Sequence, residues 1–159
     1  MASYGSLFLL HLKLEGQLIH TTEPTDGLAN LLACLPQYTN GARDIRGFAQ
    51  ALEDVRWALD DVIDEDEILF ELGATATVIR HCSILACHKI GDPRFHLADS
   101  IRISFAAVGM SELADAALDL YQFRLATARQ IPPPSRPSFS AAKLWLDHAQ
   151  TFVKRVGNL

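Results

Sequence analysis

The residues of this 159-residue chain that are best suited to chemistry lie close together, between positions 80 and 96. The segment, RHCSILACHKIGDPRFH, holds three of the six histidines and two of the three cysteines. Imidazole and thiolate groups bind zinc and iron, and histidine also transfers protons near neutral pH. The segment therefore raises two questions: whether it forms a metal site, and whether it forms a catalytic centre.

The spacing of these residues is poorly suited to a metal site. On a helix, His81 and His88 project from one side but lie about 10 Å apart along the axis, too far for two imidazoles to reach one ion. Cys82 and Cys87 point in different directions, and His96 follows a Gly-Asp-Pro break. The chain has no CxxC, HxxxH or ExxH motif. We therefore predict no metal and no cofactor, with the cysteines packed as small apolar side chains.

A catalytic role for the same segment is kept as the alternative, with Arg80, His81, His88 and His96 as its candidate site residues. The all-helical HEPN toxin nucleases pair an arginine with a histidine a short distance along the chain. Arg80 and His88 are too far apart for that motif, and Arg94 and His96 are too close. No nucleophile elbow and no glycine-rich phosphate loop occur either. A metal-binding or ribonuclease-like helical enzyme is thus the second hypothesis, and a non-enzymatic role is favoured.

Arg80 also has a structural interpretation. It lies in the most apolar part of the chain, where an unpaired buried charge costs several kcal/mol. Either its guanidinium reaches solvent, or a carboxylate such as Glu71, Asp99 or Asp115 pairs with it. The ion pair is the favoured interpretation.

The charge pattern gives the strongest functional signal. Between Glu53 and Glu71 there are nine acidic residues and one basic residue, whereas basic residues predominate after Asp119. An acidic cluster can steer and hold a basic partner. The predicted partner-binding residues are Asp60, Asp61, Asp64, Glu65, Asp66 and Glu67. The competing interpretation is that residues 64–67 cap the next helix while the two preceding aspartates are solvated surface.

The bulk composition narrows the classes of protein to consider. The chain is 49% apolar, carries a formal charge of −5, and fits one domain over residues 1–159. The negative charge argues against nucleic acid and against an anionic membrane as the main partner, and no obvious apolar run approaches a membrane span. An odd number of cysteines in apolar surroundings indicates free thiols in a reducing cytoplasm.

The elements that carry these residues are predicted to be helices. An apolar stripe from Ile45 to Val62 recurs at steps of three and four, with Asp44 as the N-terminal cap. The segment 66–90 is apolar nearly all round, which is typical of the buried centre of a bundle. The other predicted helices are 26–34, 93–108, 112–130 and 140–156, with a proline-rich connector at 131–137.

These patterns predict an all-α, single-domain bundle of about six or seven helices around a central helix at about 66–90. Residues 7–20 are expected to be helical, with a β-hairpin as the alternative. The favoured function is a small acidic binding protein that docks a protein partner, expected to be basic, as a bacterial immunity protein, an antitoxin or a regulatory adaptor would. A homodimer is a further alternative, because the stripe that starts at Ile45 has near-heptad spacing.

Overall fold

The structure is a computed structural model that describes residues 7–16, 27–61 and 64–159. The chain divides into two compact units, Met1–Ala42 and Arg43–Leu159, so the prediction of one domain over the whole chain stays a prediction. The described residues contain seven α-helices and one 3-10 helix, and no strand, which confirms the all-α class. The α-helices are α1 (Leu7–Glu15), α2 (Gly27–Ala33), α3 (Gly41–Asp60), α4 (Glu65–Lys89), α5 (Leu97–Ala107), α6 (Ala114–Arg129) and α7 (Phe139–Gly157).

The first unit contains α1 and α2, which pack against each other. The chain is helical from Leu7 to Glu15, so the β-hairpin alternative is wrong for these residues. The N–H of Gly16 donates to the carbonyl of Leu12, which closes the last turn of α1. The rest of the predicted hairpin, residues 17–20, lies outside the described residues.

The second unit is a helical bundle with α4 at its centre. This helix packs against α5, α6 and α7, and 13 of its 25 residues are buried. The prediction of a central apolar helix at about 66–90 is therefore confirmed. Around it, Phe105 of α5 and Phe152 of α7 stack with ring centroids 4.3 Å apart. Leu52 of α3 and Leu120 of α6 complete the core.

α3 buries one stripe of side chains and is tied to α7 along its edge. Leu52, Val55 and Leu59 are buried, as the apolar stripe predicts, while Val62 at the end of that stripe lies outside the described residues. The side chain of Gln150 on α7 donates to Glu53 over 2.9 Å. Asp147, one turn away, lies 3.5 Å from the guanidinium of Arg56. These polar contacts between α3 and α7 fix which face of α3 remains in solvent.

Three helix boundaries differ from the sequence-based prediction. α5 begins at Leu97 and not at Pro93, because His96 has extended backbone angles, φ −62° and ψ 133°. α3 begins at Gly41, so Asp44 lies inside its first turn and is not its cap. A 3-10 turn, η1 (Ser111–Leu113), precedes α6 where an unbroken α-helix was expected.

Basic side chains close the C-terminal ends of two helices. The ammonium group of Lys89 donates to the carbonyls of Val156 and Gly157 at 2.8 and 3.1 Å. The guanidinium of Arg155 donates to the carbonyls of Val108 and Gly109 at 2.8 and 3.0 Å. Both contacts satisfy carbonyls that a helix leaves unpaired, and both place a cation at the negative end of the helix dipole.

α4 is the one helix in the described ranges that is long and apolar enough to cross a membrane, by length and composition alone. The sequence-based expectation that no segment reaches this length was wrong, because interspersed small polar residues hide the continuous apolar character. In the structure, 67% of the most apolar 18-residue window of α4 is buried against other helices. The core helix of a globular protein passes the same test.

Candidate functional site

The histidine-rich segment is divided between two elements. Arg80, His81 and His88 lie on α4, whereas His96 immediately precedes α5, with its Nδ1 3.6 Å from a carboxylate oxygen of Asp99. His81 and His96 are exposed and His88 is half-buried. Within the described ranges, no group of three or more His, Cys, Asp or Glu side chains is arranged to hold a metal ion. The segment therefore offers no assembled ligand set.

The two cysteines of this segment are core residues. Cys82 and Cys87 are fully buried, and the Sγ of Cys87 lies 3.6 Å from the carbonyl of Ser100. Burial raises the pKa of the Cys82 thiol far above its usual range and that of Cys87 to about 11. Because the thiolate is both the nucleophile and the metal ligand, neither sulfur is reactive near neutral pH. Their predicted role as small apolar side chains is confirmed.

Arg80 does not form the expected ion pair. Asp99 and Asp115 contact other residues, and no carboxylate of the described ranges, Glu71 included, pairs with it. Its guanidinium carbon lies 5.9 Å from the centre of the Tyr121 ring, at the limit of a cation–π contact. Its Nε is buried and has no hydrogen-bond partner. The positive charge is thus only partly compensated by the protein.

The six acidic residues predicted to bind a partner do lie together, at the corner between α3 and α4. All six are exposed. They are Asp60 and Asp61 at the end of α3, Asp64 just before α4, and Glu65, Asp66 and Glu67 in the first turn of α4.

Asp60, Asp64 and Glu65 each have a structural partner. The carboxylate of Asp64 accepts from the main-chain N–H groups of Asp66 and Glu67, both at 2.9 Å, and so caps α4. Asp60 lies 3.4 Å from the ammonium group of Lys143. Glu65 accepts from the guanidinium of Arg136, whose Nε lies 2.7 Å away. The capping interpretation is correct for Asp64, and nearby bases partly neutralise the other two.

The remaining acids surround an open groove of about 430 Å³ between the end of α3 and the first two turns of α4. Asp61 and Asp66 have no lysine or arginine partner within the described ranges. Phe70 lies among them with 60% of its surface exposed, although it belongs to the helix whose apolar composition predicted burial on all sides. The described lining consists of Ala58, Asp61, Asp64, Asp66, Glu67, Phe70 and Glu71.

A second exposed aromatic ring lies on α3. Trp57 is 72% exposed, because it projects from the side of α3 opposite Val55 and Leu59. Asp54 and Asp61, one turn before and after it on the same face, are also exposed. Single exposed apolar side chains are ordinary on a protein surface, so the relevant feature of Trp57 is its place near the same acidic corner as Phe70. The sequence held a signal for this residue, since Trp57 falls outside the apolar stripe that α3 buries.

The carboxylates that line the groove differ in how strongly burial affects their charge. Glu71, which lines it and is half-buried, has a pKa above its usual range because burial disfavours its charged form. The other lining acids are exposed and form a concentrated negative surface. We call the set Trp57, Asp61, Asp66, Glu67 and Phe70 the acidic–aromatic surface.

The acidic–aromatic surface presents carboxylates and aromatic rings from α3, α4 and the residues between them, and these groups are suited to recognition. Carboxylates supply charge complementarity, and aromatic rings supply the apolar area that anchors an interface. Comparison with known proteins adds no functional assignment: no family model matches the chain, and no curated protein or solved structure matches it.

Proposed function

We propose that this protein is a small helical binding protein that docks a basic segment of a partner protein on its acidic–aromatic surface. The observation that carries the proposal is Phe70, which is 60% exposed inside a groove lined by carboxylates. A solvated acidic face without a partner has no need of an apolar ring at its centre. The combination of central aromatic and charged rim is typical of protein interfaces.

The energetic argument concerns the two aromatic rings. Covering a mostly exposed phenylalanine side chain contributes about 1–2 kcal/mol from apolar area alone. Trp57 offers a larger exposed area and a π-face flanked by Asp54 and Asp61. A guanidinium group that stacks on the indole can pair with either carboxylate at the same time. An arginine-bearing segment with apolar neighbours therefore fits this surface better than a purely basic one.

The wider role follows from this chemistry by analogy alone. An immunity or antitoxin protein that masks a basic toxin, and a regulatory adaptor, both need an acidic surface with apolar anchors. A second copy of this chain is the competing occupant, because the chain after Asp119 is rich in Lys and Arg. The three cases share one interface and are separated by the identity of the bound molecule.

Tryptophan fluorescence provides a direct test. In the variant Trp145→Phe, which replaces the half-buried Trp145 conservatively, Trp57 is the sole reporter among the two tryptophans. Titration with a synthetic amphipathic peptide of arginine and leucine should shift its emission to shorter wavelength as the indole leaves water. A peptide with glutamate in place of arginine should produce no shift. Equal responses to the two peptides would contradict the proposal.

Variants locate the binding to this surface. In the same background, Phe70→Ser and the pair Asp61→Lys with Asp66→Lys should each weaken binding of the basic peptide by about tenfold. Leu144→Ser removes an exposed apolar residue of α7 and serves as the control that should retain binding. Loss of binding in this control to the same degree would show that the peptide does not recognise the groove.

The natural occupant is then sought with the same variants. A partner recovered from native lysate should be basic, and its recovery should fall in the Asp61→Lys, Asp66→Lys protein. The control pair Glu112→Lys and Asp119→Lys carries the same charge change at exposed sites elsewhere. Light scattering identifies the homodimer, because the charge-reversed protein would then become a monomer.

A further inference from the structure

A group of basic side chains without a carboxylate partner lies where α4 packs against α6, apart from the acidic–aromatic surface. Its members are Arg80 and His81 on α4 and Arg124 on α6. Arg80 and Arg124 are half-buried, and His81 is exposed. None of the three pairs with a carboxylate in the described ranges. Two guanidinium charges at one helix–helix interface without counter-ions are unfavourable unless an anion from solution joins them, and the imidazole of His81 can donate a further hydrogen bond to such an anion.

The two helices that carry these side chains pack closely against each other. Gly73 has no side chain, and the position its Cβ would take lies 3.4 Å from the Cα of Arg124 and 3.8 Å from its Cδ. Tyr121, three residues before Arg124 on the same face of α6, lies under the guanidinium of Arg80. Arg80, through Tyr121, and Arg124, one turn further along α6, thus both lie at the α4–α6 interface.

The interface also contains a donor that the protein does not satisfy. The Nε of Arg80 is shielded from solvent and has no hydrogen-bond partner in the described ranges, which is unfavourable for a donor that belongs to a charged group. The pKa of His81 is lowered, first by burial and then by the positive charges of Arg80 and Arg124. A bound oxyanion would relieve both effects.

We propose that Arg80, His81 and Arg124 form a binding site for a phosphate group, either as free phosphate or as part of a small phosphorylated ligand. Guanidinium groups bind phosphate oxygens through parallel N–H donors, and two guanidinium groups match the double charge of a phosphate. The imidazole of His81 adds a third donor at the exposed rim of the site. The Tyr121 ring, whose centre lies 5.9 Å from the guanidinium carbon of Arg80, gives that guanidinium a neighbour on α6.

Calorimetric titration of the full chain with inorganic pyrophosphate tests this site. Saturable binding is expected, and Arg124→Gln and His81→Gln should each weaken it, the former by about tenfold or more. Arg129→Gln, on the exposed side of the same helix, makes the same change in net charge and should leave the affinity unchanged. Circular dichroism of each variant verifies that the fold is retained, which matters because α4 is the core helix.

Three results would overturn the proposal. One is the absence of saturable pyrophosphate binding, and another is equal weakening in Arg129→Gln and Arg124→Gln, which would indicate non-specific attraction. The third is tighter binding of a tricarboxylate such as citrate than of pyrophosphate, which would overturn the assignment to phosphate. The imidazole resonances of His81 give an independent readout, because they should shift when pyrophosphate is added to the parent protein but not to Arg124→Gln.

Discussion

The substitution of Asp64 separates its structural role from its charge. Its carboxylate accepts two main-chain hydrogen bonds at the start of α4, from Asp66 and Glu67. Because both N–H groups are exposed, water replaces the lost acceptor in Asp64→Ala, and the cost is that of an ordinary N-cap, about 1 kcal/mol. This corresponds to a fall of about 4 °C in Tm or about 0.5 M in the urea midpoint.

The variant Asp64→Ser is the matched control. Serine keeps a capping oxygen and removes the negative charge. Three further acids follow directly in the first turn of α4, so loss of this charge relieves repulsion while it weakens the interaction with the helix dipole. We therefore expect Asp64→Ser to lie within about 0.5 kcal/mol of the parent protein in urea unfolding followed by circular dichroism. A loss of stability in Asp64→Ser equal to that in Asp64→Ala would refute the capping argument and assign the effect to charge.

Further predictions concern the titratable groups and the thiols. Because burial raises the pKa of Glu71, the charged form of this side chain lowers the stability of the folded state at pH values above that pKa. Glu71→Gln should therefore raise the urea midpoint at pH 7 and leave it unchanged at pH 3. A lower midpoint at pH 7 would contradict this. The pKa of His81, followed by NMR, should lie below its ordinary value of about 6.5, and Arg124→Gln should raise it by removing a neighbouring charge; an unchanged value would place Arg124 away from the imidazole. Cys34 is exposed whereas the other two cysteines are buried, so a thiol reagent should label one cysteine per folded chain and all three after unfolding; rapid labelling of more than one in the folded protein would contradict the assigned core.

Much of the fold followed from local patterns. The stripe of α3, the apolar α4 and the break at Gly91 are consequences of helical periodicity and of backbone preferences, and both act within a few residues. Gly91 has a positive φ of 80°, as its place after α4 requires. The start of α5 was misplaced because the Asp-Pro pair is compatible with a helix start, but the chain stays extended until His96.

The candidate surfaces depended on contacts between distant segments. Composition placed six acids at one corner, yet only the packing of α7 and its preceding loop showed that Asp60 and Glu65 have basic partners. Whether Phe70 is buried depends on which neighbour covers the start of α4, and periodicity cannot supply that in a helix that is apolar nearly all round. The lack of a carboxylate partner for Arg80 is likewise a consequence of how α4 packs against α6.

The sequence by itself determined the helices, the identity of the central one, and the acidic character of the α3–α4 corner. These features arise from the spacing of residue types along one chain segment, and hydrophobic burial makes that spacing sufficient. Only the tertiary structure decided which aromatic rings remain in water and which charges lack a partner. Exposure and charge compensation are set by the packing of residues that are far apart in sequence. In this protein they distinguish the acidic–aromatic surface, and the basic residues at the α4–α6 interface, from the rest of the surface.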